Sequence, residues 1–168
     1  MKKSLIAKVV GLATSVVTLL LFLIGKVTLK ATAVVAGETV MSEKESGKIF
    51  EIIENENGAF DDVKFRTTVV IGFILVLVAT VYFIVSVVLD CLGKKLPVAN
   101  LDLIGAIVLV VGVAVYAISQ FVVYKDTETV MGITATGKMT LQTLACFSTY
   151  LMLAAGAGAV ATQVVLKD

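Results

Sequence analysis

Residues 67–89 read TTVVIGFILVLVATVYFIVSVVL, 23 positions without an Asp, Glu, Lys or Arg. A helix rises 1.5 Å per residue and the hydrocarbon core of a bilayer is about 30 Å thick, so about 20 apolar residues cross it. A water-soluble helix of this length would carry polar stripes at helical spacing, and this one does not. Three more runs lack charged residues: 9–25, 103–124 and 139–166. The first reaches spanning length only if it begins near Leu5, with Lys8 snorkelling its ammonium to the interface. Across all 168 residues the chain is 58% hydrophobic, with a mean hydropathy of +1.02. Soluble domains use about 45–50% apolar residues. The expected fold is therefore a membrane all-α, four-transmembrane-helix bundle forming one integral domain over 1–168. Its spans fall at about 5–25, 67–89, 103–124 and 139–166, its outer loops at 26–66 and 125–138, and its inner turn at 90–102.

The start of the chain has a rival reading. Met1-Lys2-Lys3, an apolar stretch and Ala31-Thr32-Ala33 follow the order of a cleavable secretory signal. Lys26 and Lys30 lie between the apolar stretch and that site, and the stretch exceeds the usual signal core of about 7–15 residues, so four spans are kept. The outer loops hold more Lys and Arg in all, but the inner segments are much shorter and more densely basic, with Lys2, Lys3, Lys8, Lys94, Lys95 and Lys167. Long translocated loops also count less, so both termini are expected in the cytoplasm of a cell-membrane protein.

The outer loops carry strand signals. Residues 27–34, VTLKATAV, alternate apolar and polar with a period of two. Residues 48–65 set two aromatic and β-branched stretches around Asn57-Gly58, a hairpin signal. The second outer loop, ETVMGITATG, is also rich in β-branched residues. A small antiparallel sheet on the outer face is expected. Residues 38–48, ETVMSEKESGK, match residues 128–138, ETVMGITATGK, at six of eleven positions. At the same offset the apolar runs do not align, so the match reads as two similar edge-forming strands rather than a duplication.

Small residues mark the packing faces. Gly105, Gly112 and Ser119 recur every seven residues, the spacing of a left-handed helix pair. Ala154, Gly158 and Thr162 make small-xxx-small steps, and Gly11 with Ser15 offers the same in the first span. Such faces hold one bundle together or, on the fourth span, mediate self-association.

The catalytic inventory is thin. With no His, Ser-His dyads and His metal ligands are excluded. Cys91 and Cys146 fall at opposite ends of their spans and cannot pair. Gly47-Lys48 and Gly137-Lys138 lack the upstream glycine of a phosphate loop, and residues 54–62, ENENGAFDD, lack calcium-loop spacing. Asp90 is placed to pair with Lys94 one turn on, and Asp102 to offset a helix dipole beside an Asn100 cap. No catalytic residue, cofactor, metal site or nucleic-acid partner is expected.

A long, strand-bearing first outer loop followed by a shorter second one resembles the claudin-like tetraspan proteins. The resemblance is one of topology: their Trp and paired Cys have no counterpart in this first outer loop. The expected function is non-enzymatic, by association within the lipid bilayer with a protein partner or a second copy, through outer strands and small-residue helix faces. The alternatives are a small transporter or channel subunit, or a receptor or cation-binding protein using the acidic loop.

Overall fold

The computed structural model describes residues 3–48, 63–94, 101–118, 123–130, 132–142 and 146–166. In chain order the elements are α1 (Lys3–Ile24), β1 (Lys26–Val35), β2 (Glu38–Lys48), α2 (Val63–Cys91), α3 (Leu101–Ile118), β3 (Val123–Val130), β4 (Ile133–Gln142) and α4 (Phe147–Val165). All four helices are long and apolar enough to cross a membrane. Their mean hydropathy over the best window runs from 1.3 to 2.8, yet at most 39% of any window is buried. Large aliphatic side chains such as Leu20, Val78, Val111 and Leu151 therefore face outward.

The helices pack in a ring in which each touches its sequence neighbours and α4 closes on α1. Phe22, Val76, Phe83, Leu109, Val113, Tyr116 and Met152 fill the centre with almost no exposure. The Phe22 ring sits 4.5 Å from Tyr116 and 5.9 Å from Phe73, centroid to centroid, the second contact edge-on. Three buried hydroxyls are satisfied within their own helices: Ser15 donates to the Leu12 carbonyl, Thr18 to that of Thr14 and Thr80 to that of Val76.

Helix ends are set locally. At the end of α2, Gly93 adopts φ +70°, its N–H donates to the Asp90 carbonyl, and the Lys94 N–H donates to the Leu89 carbonyl. That pair of bonds is a Schellman stop, which requires the left-handed conformation glycine tolerates. At the other end of the bundle α1 passes into β1 with no loop. The Gly25 N–H still bonds the Leu21 carbonyl, and a side chain there would collide with that carbonyl and with Ser148.

The expected antiparallel sheet is present at one end of the bundle, with four strands in the order β2-β1-β4-β3. The predicted strand at 27–34 is β1. Val27, at its base, is buried against the bundle core, and the Ser148 hydroxyl donates to the Lys26 carbonyl, so the sheet is seated over α1 and α4. The β1–β2 turn is two residues, Ala36 and Gly37, both at positive φ. This is the geometry whose twist matches flanking strands.

Two expectations change. The apolar runs 103–124 and 139–166 do not fold as single helices. α3 ends at Ile118 and Val123 opens β3, while 139–142 complete β4 before α4 begins at Phe147. Val123 and Tyr124 suit a strand by composition, whereas 139–142 are extended because they pair with β1. The two ETVM stretches also play different parts: the first opens edge strand β2 after its turn, and the second ends edge strand β3 and crosses into central strand β4. The Asn57-Gly58 hairpin lies outside the described residues.

Candidate functional site

A polar cluster closes the end of the bundle away from the sheet. Tyr82, Ser86 and Asp90 follow one another at four-residue spacing, which puts them on one face of α2. Asp102 stands in the first turn of α3 and Lys8 on the second turn of α1. The Lys8 ammonium lies 3.0 Å from Asp90 Oδ2 and 3.8 Å from Asp102 Oδ2. The other Asp102 oxygen, Oδ1, accepts hydrogen bonds from the Tyr82 hydroxyl and the Ser86 hydroxyl, each at 2.8 Å. At the same level the Gln163 amide of α4 donates to the Ala7 carbonyl at 2.9 Å. Four helices are thus joined by polar contacts in one layer.

Two sequence expectations are corrected here. Lys8 does not extend away to an interface: the residue is only 8% exposed and its ammonium turns inward to two carboxylates. Asp90 meets Lys8 rather than Lys94, which is exposed. An ammonium taken from water is strongly penalised unless paired, and two carboxylates within reach supply the pairing. Asp102 does occupy the helix-start position expected of it, with a further role as the shared acceptor. The α2 spacing was the available signal for Tyr82 and Ser86. Nothing in the sequence joined them to Lys8.

The small residues divide into two groups. Gly105 lies under the Tyr82 ring, where any Cβ would strike Cδ1 at 2.5 Å, so this glycine makes room for the ring whose hydroxyl reaches Asp102. A Cβ on Gly112 would sit 3.0 Å from the Gly72 carbonyl, Leu75 and Val76, and one on Gly72 would sit 2.8 Å from the Gly112 carbonyl. Gly72 and Gly112 therefore let the backbones of α2 and α3 approach closely. Ser119 lies outside the described residues. Gly11 faces Phe83 and Gly156 faces Val110. The stripe Ala154, Gly158, Thr162 is turned away from these seams: Ala154 is exposed, a Cβ on Gly158 would meet nothing within 4 Å, and the Thr162 hydroxyl donates to the Gly158 carbonyl. α4 packs inward instead through Thr149, Met152, Gly156, Ala159 and Gln163.

The sheet carries the second arrangement of charge. Directly opposed residues of an antiparallel ladder share a face, and alternate residues along a strand change face. The register therefore gathers Lys26 and Lys30 of β1, Lys44 and Lys48 of β2, Lys138 of β4 and Lys125 of β3 on one face. The hydroxyl contacts Thr28 to Ser46, Thr127 to Thr136 and Thr129 to Thr134 lie on that same face. The opposite face holds Glu38, Glu43, Asp126 and Glu128 on the edge strands, around Ala31, Ala33, Ala135 and Met139 in the centre. Among the described residues no acid shares the lysine face and no lysine shares the acidic one.

Comparison with known protein families, characterised proteins and solved structures finds no match for this chain.

Proposed function

We propose that the chain is a four-span membrane protein, with both termini in the cytoplasm, that acts by association rather than catalysis. The outer sheet is its working surface. The observation that carries this reading is the sheet itself: it extends beyond the bundle with both faces largely open and charges sorted by face. Four apolar helices would anchor in lipid without it. Among the described residues no second layer packs on the sheet, so the sheet contributes little to its own stability, and its residue pattern is suited to meeting something else. The outward stripe Ala154, Gly158, Thr162 offers an additional helix surface for a neighbour in the bilayer.

The ionic cluster favours a second reading, a small transporter or channel subunit, because ionisable groups within a span commonly line ion or proton paths. Two features weigh against it. The charges of Lys8, Asp90 and Asp102 are directed at one another, and the bundle toward the sheet is closed by Phe83, Leu109, Val113 and Phe22. The cluster then acts as a polar lock at one end of a dry bundle. Ion flux into proteoliposomes separates the readings. Purified chain should leave proton, sodium and potassium flux at the level of empty liposomes. Flux above that level that disappears in Asp102→Asn would establish transport and refute the association reading.

A further inference from the structure

We infer that the lysine face of the sheet binds a linear acidic polysaccharide. This rests on the reading of the sheet as the working surface and names the chemistry that would occupy it.

The argument starts from register. Lys30 stands directly opposite Lys44, Lys125 opposite Lys138, and Lys26 opposite Lys48. Like charges directly across a ladder destabilise it, whereas opposite charges support it. Glu38, Glu43, Asp126 and Glu128 stand on the edge strands out of phase with these lysines, so each of them faces the other way. Edge lysines alone have an ordinary explanation, since a charged edge discourages pairing with another chain. That explanation covers Lys44, Lys48 and Lys125. It does not cover Lys26 and Lys30 on β1 or Lys138 on β4, because these are central strands. A polyanion on this face relieves the repulsion between Lys30 and Lys44 and between Lys125 and Lys138 at once.

The layout of the face indicates which polyanion. The lysine pairs run obliquely from the base of β2 toward β3. Lys30 stands four residues beyond Lys26, and Lys138 is level with Thr32, six residues beyond it. At about 3.3 Å per residue these rows lie about 13 and 20 Å from the first. A bilayer surface potential falls off within a Debye length of about 8–10 Å, shorter than the distance from the first row to the third. A linear polymer follows all three. Between the lysines the face carries Thr28, Thr32, Ser42, Ser46, Thr136 and Gln142, donors and acceptors suited to sugar hydroxyls. Single-stranded nucleic acid is read largely by aromatic stacking, and among the described residues no aromatic side chain occupies this face.

The test uses the full chain in zwitterionic nanodiscs with a heparin decasaccharide as probe. The parent should bind with an affinity that falls steeply with salt. Lys30→Gln, Lys44→Gln, Lys125→Gln and Lys138→Gln together should weaken binding at least about tenfold and flatten the salt dependence, because each lost contact releases one fewer counterion. Each pairwise variant, Lys30→Gln with Lys44→Gln or Lys125→Gln with Lys138→Gln, should lose part of the affinity and melt no lower than the parent. Glu43→Gln with Glu128→Gln, on the opposite face, should bind at least as well as the parent. Unchanged heparin affinity in the fourfold variant overturns the proposal. So does parent binding that appears only in nanodiscs containing anionic lipid, or lysine variants that lose self-association while keeping heparin. In each of these cases, persistent cross-linking of the sheet to a partner in native membranes leaves the association reading standing.

Discussion

Gly72→Ala and Gly158→Ala make the same chemical change and should move stability in opposite directions. Alanine is favoured over glycine inside a helix by about 0.8–1.0 kcal/mol, so both variants start with that gain. At Gly158 nothing lies within 4 Å of the added methyl group, and the gain should survive as a stabilisation of up to about 1 kcal/mol. At Gly72 the methyl carbon would sit 2.8 Å from the Gly112 carbonyl and 3.1 Å from Tyr116 Cβ and its backbone nitrogen. Two of these are backbone atoms and the Cβ is fixed to the backbone, so none can rotate away and α2 and α3 must separate by several tenths of an ångström. Overpacking of this kind typically costs about 1–3 kcal/mol, which outweighs the propensity gain. In lipid, close packing is itself a main source of helix association, so the loss spreads along the seam. Reversible unfolding of monomeric chain in bicelles, followed by helical circular dichroism, measures both. A Gly72→Ala chain as stable as the parent, or a destabilised Gly158→Ala monomer, would refute the assignment of these faces.

Further outcomes follow from the same structure. Lys8→Met leaves Asp90 and Asp102 facing each other without a cation and should destabilise the bundle. Breaking a fully buried pair costs about 3–5 kcal/mol, and the partial exposure of both carboxylates, 20% and 28%, should bring this nearer 1–3. Adding Asp90→Asn should recover much of the loss, and a double variant no more stable than Lys8→Met would show that the pair is not energetically coupled. Ala36 holds φ +52°, a conformation that costs a residue with a Cβ about 1–2 kcal/mol, so Ala36→Gly should slow proteolysis between β1 and β2. Faster cutting would place the strain elsewhere. Cys91 is exposed at the end of α2 opposite the sheet, so an impermeant maleimide should reach it from the cytoplasm and reach Ser46→Cys, in a Cys91→Ser background, from outside. Labelling of both from the same side would break the four-span topology.

The sequence was most informative where a pattern was local. The run at 67–89 falls within α2, and the period-two alternation of 27–34 became β1, because each periodicity needs no partner to be read. Strand β2 was legible only through the match of residues 38–48 to 128–138, which read as an edge-forming strand. SEKESGK is poor in strand formers, and its extended form comes from pairing with β1 along its length. The same tertiary pairing took 123–124 and 139–142 out of apolar runs that composition alone assigns to helices. Spacing disclosed that Gly105 and Gly112 share a face, and the structure supplied the neighbour, α2. For Lys8 no local cue existed: its carboxylates come from helices more than eighty residues away in the chain. The charge sorting of the sheet was also out of reach, since it exists only once four strands have a register.

Association through the sheet is the central claim, and site-directed photo-crosslinking in intact membranes addresses it most directly. A photoreactive residue would replace Ser42 on the lysine face, Glu43 on the acidic face, or Ala157 on the outward side of α4, all exposed positions. The account predicts that a sheet position gives a distinct higher-mass adduct, and that the adduct from Ser42 weakens when Lys30, Lys44, Lys125 and Lys138 are neutralised. Absence of any adduct from Ser42 and Glu43, with Ala157 cross-linking strongly, would contradict it and move the working surface from the sheet into the bilayer.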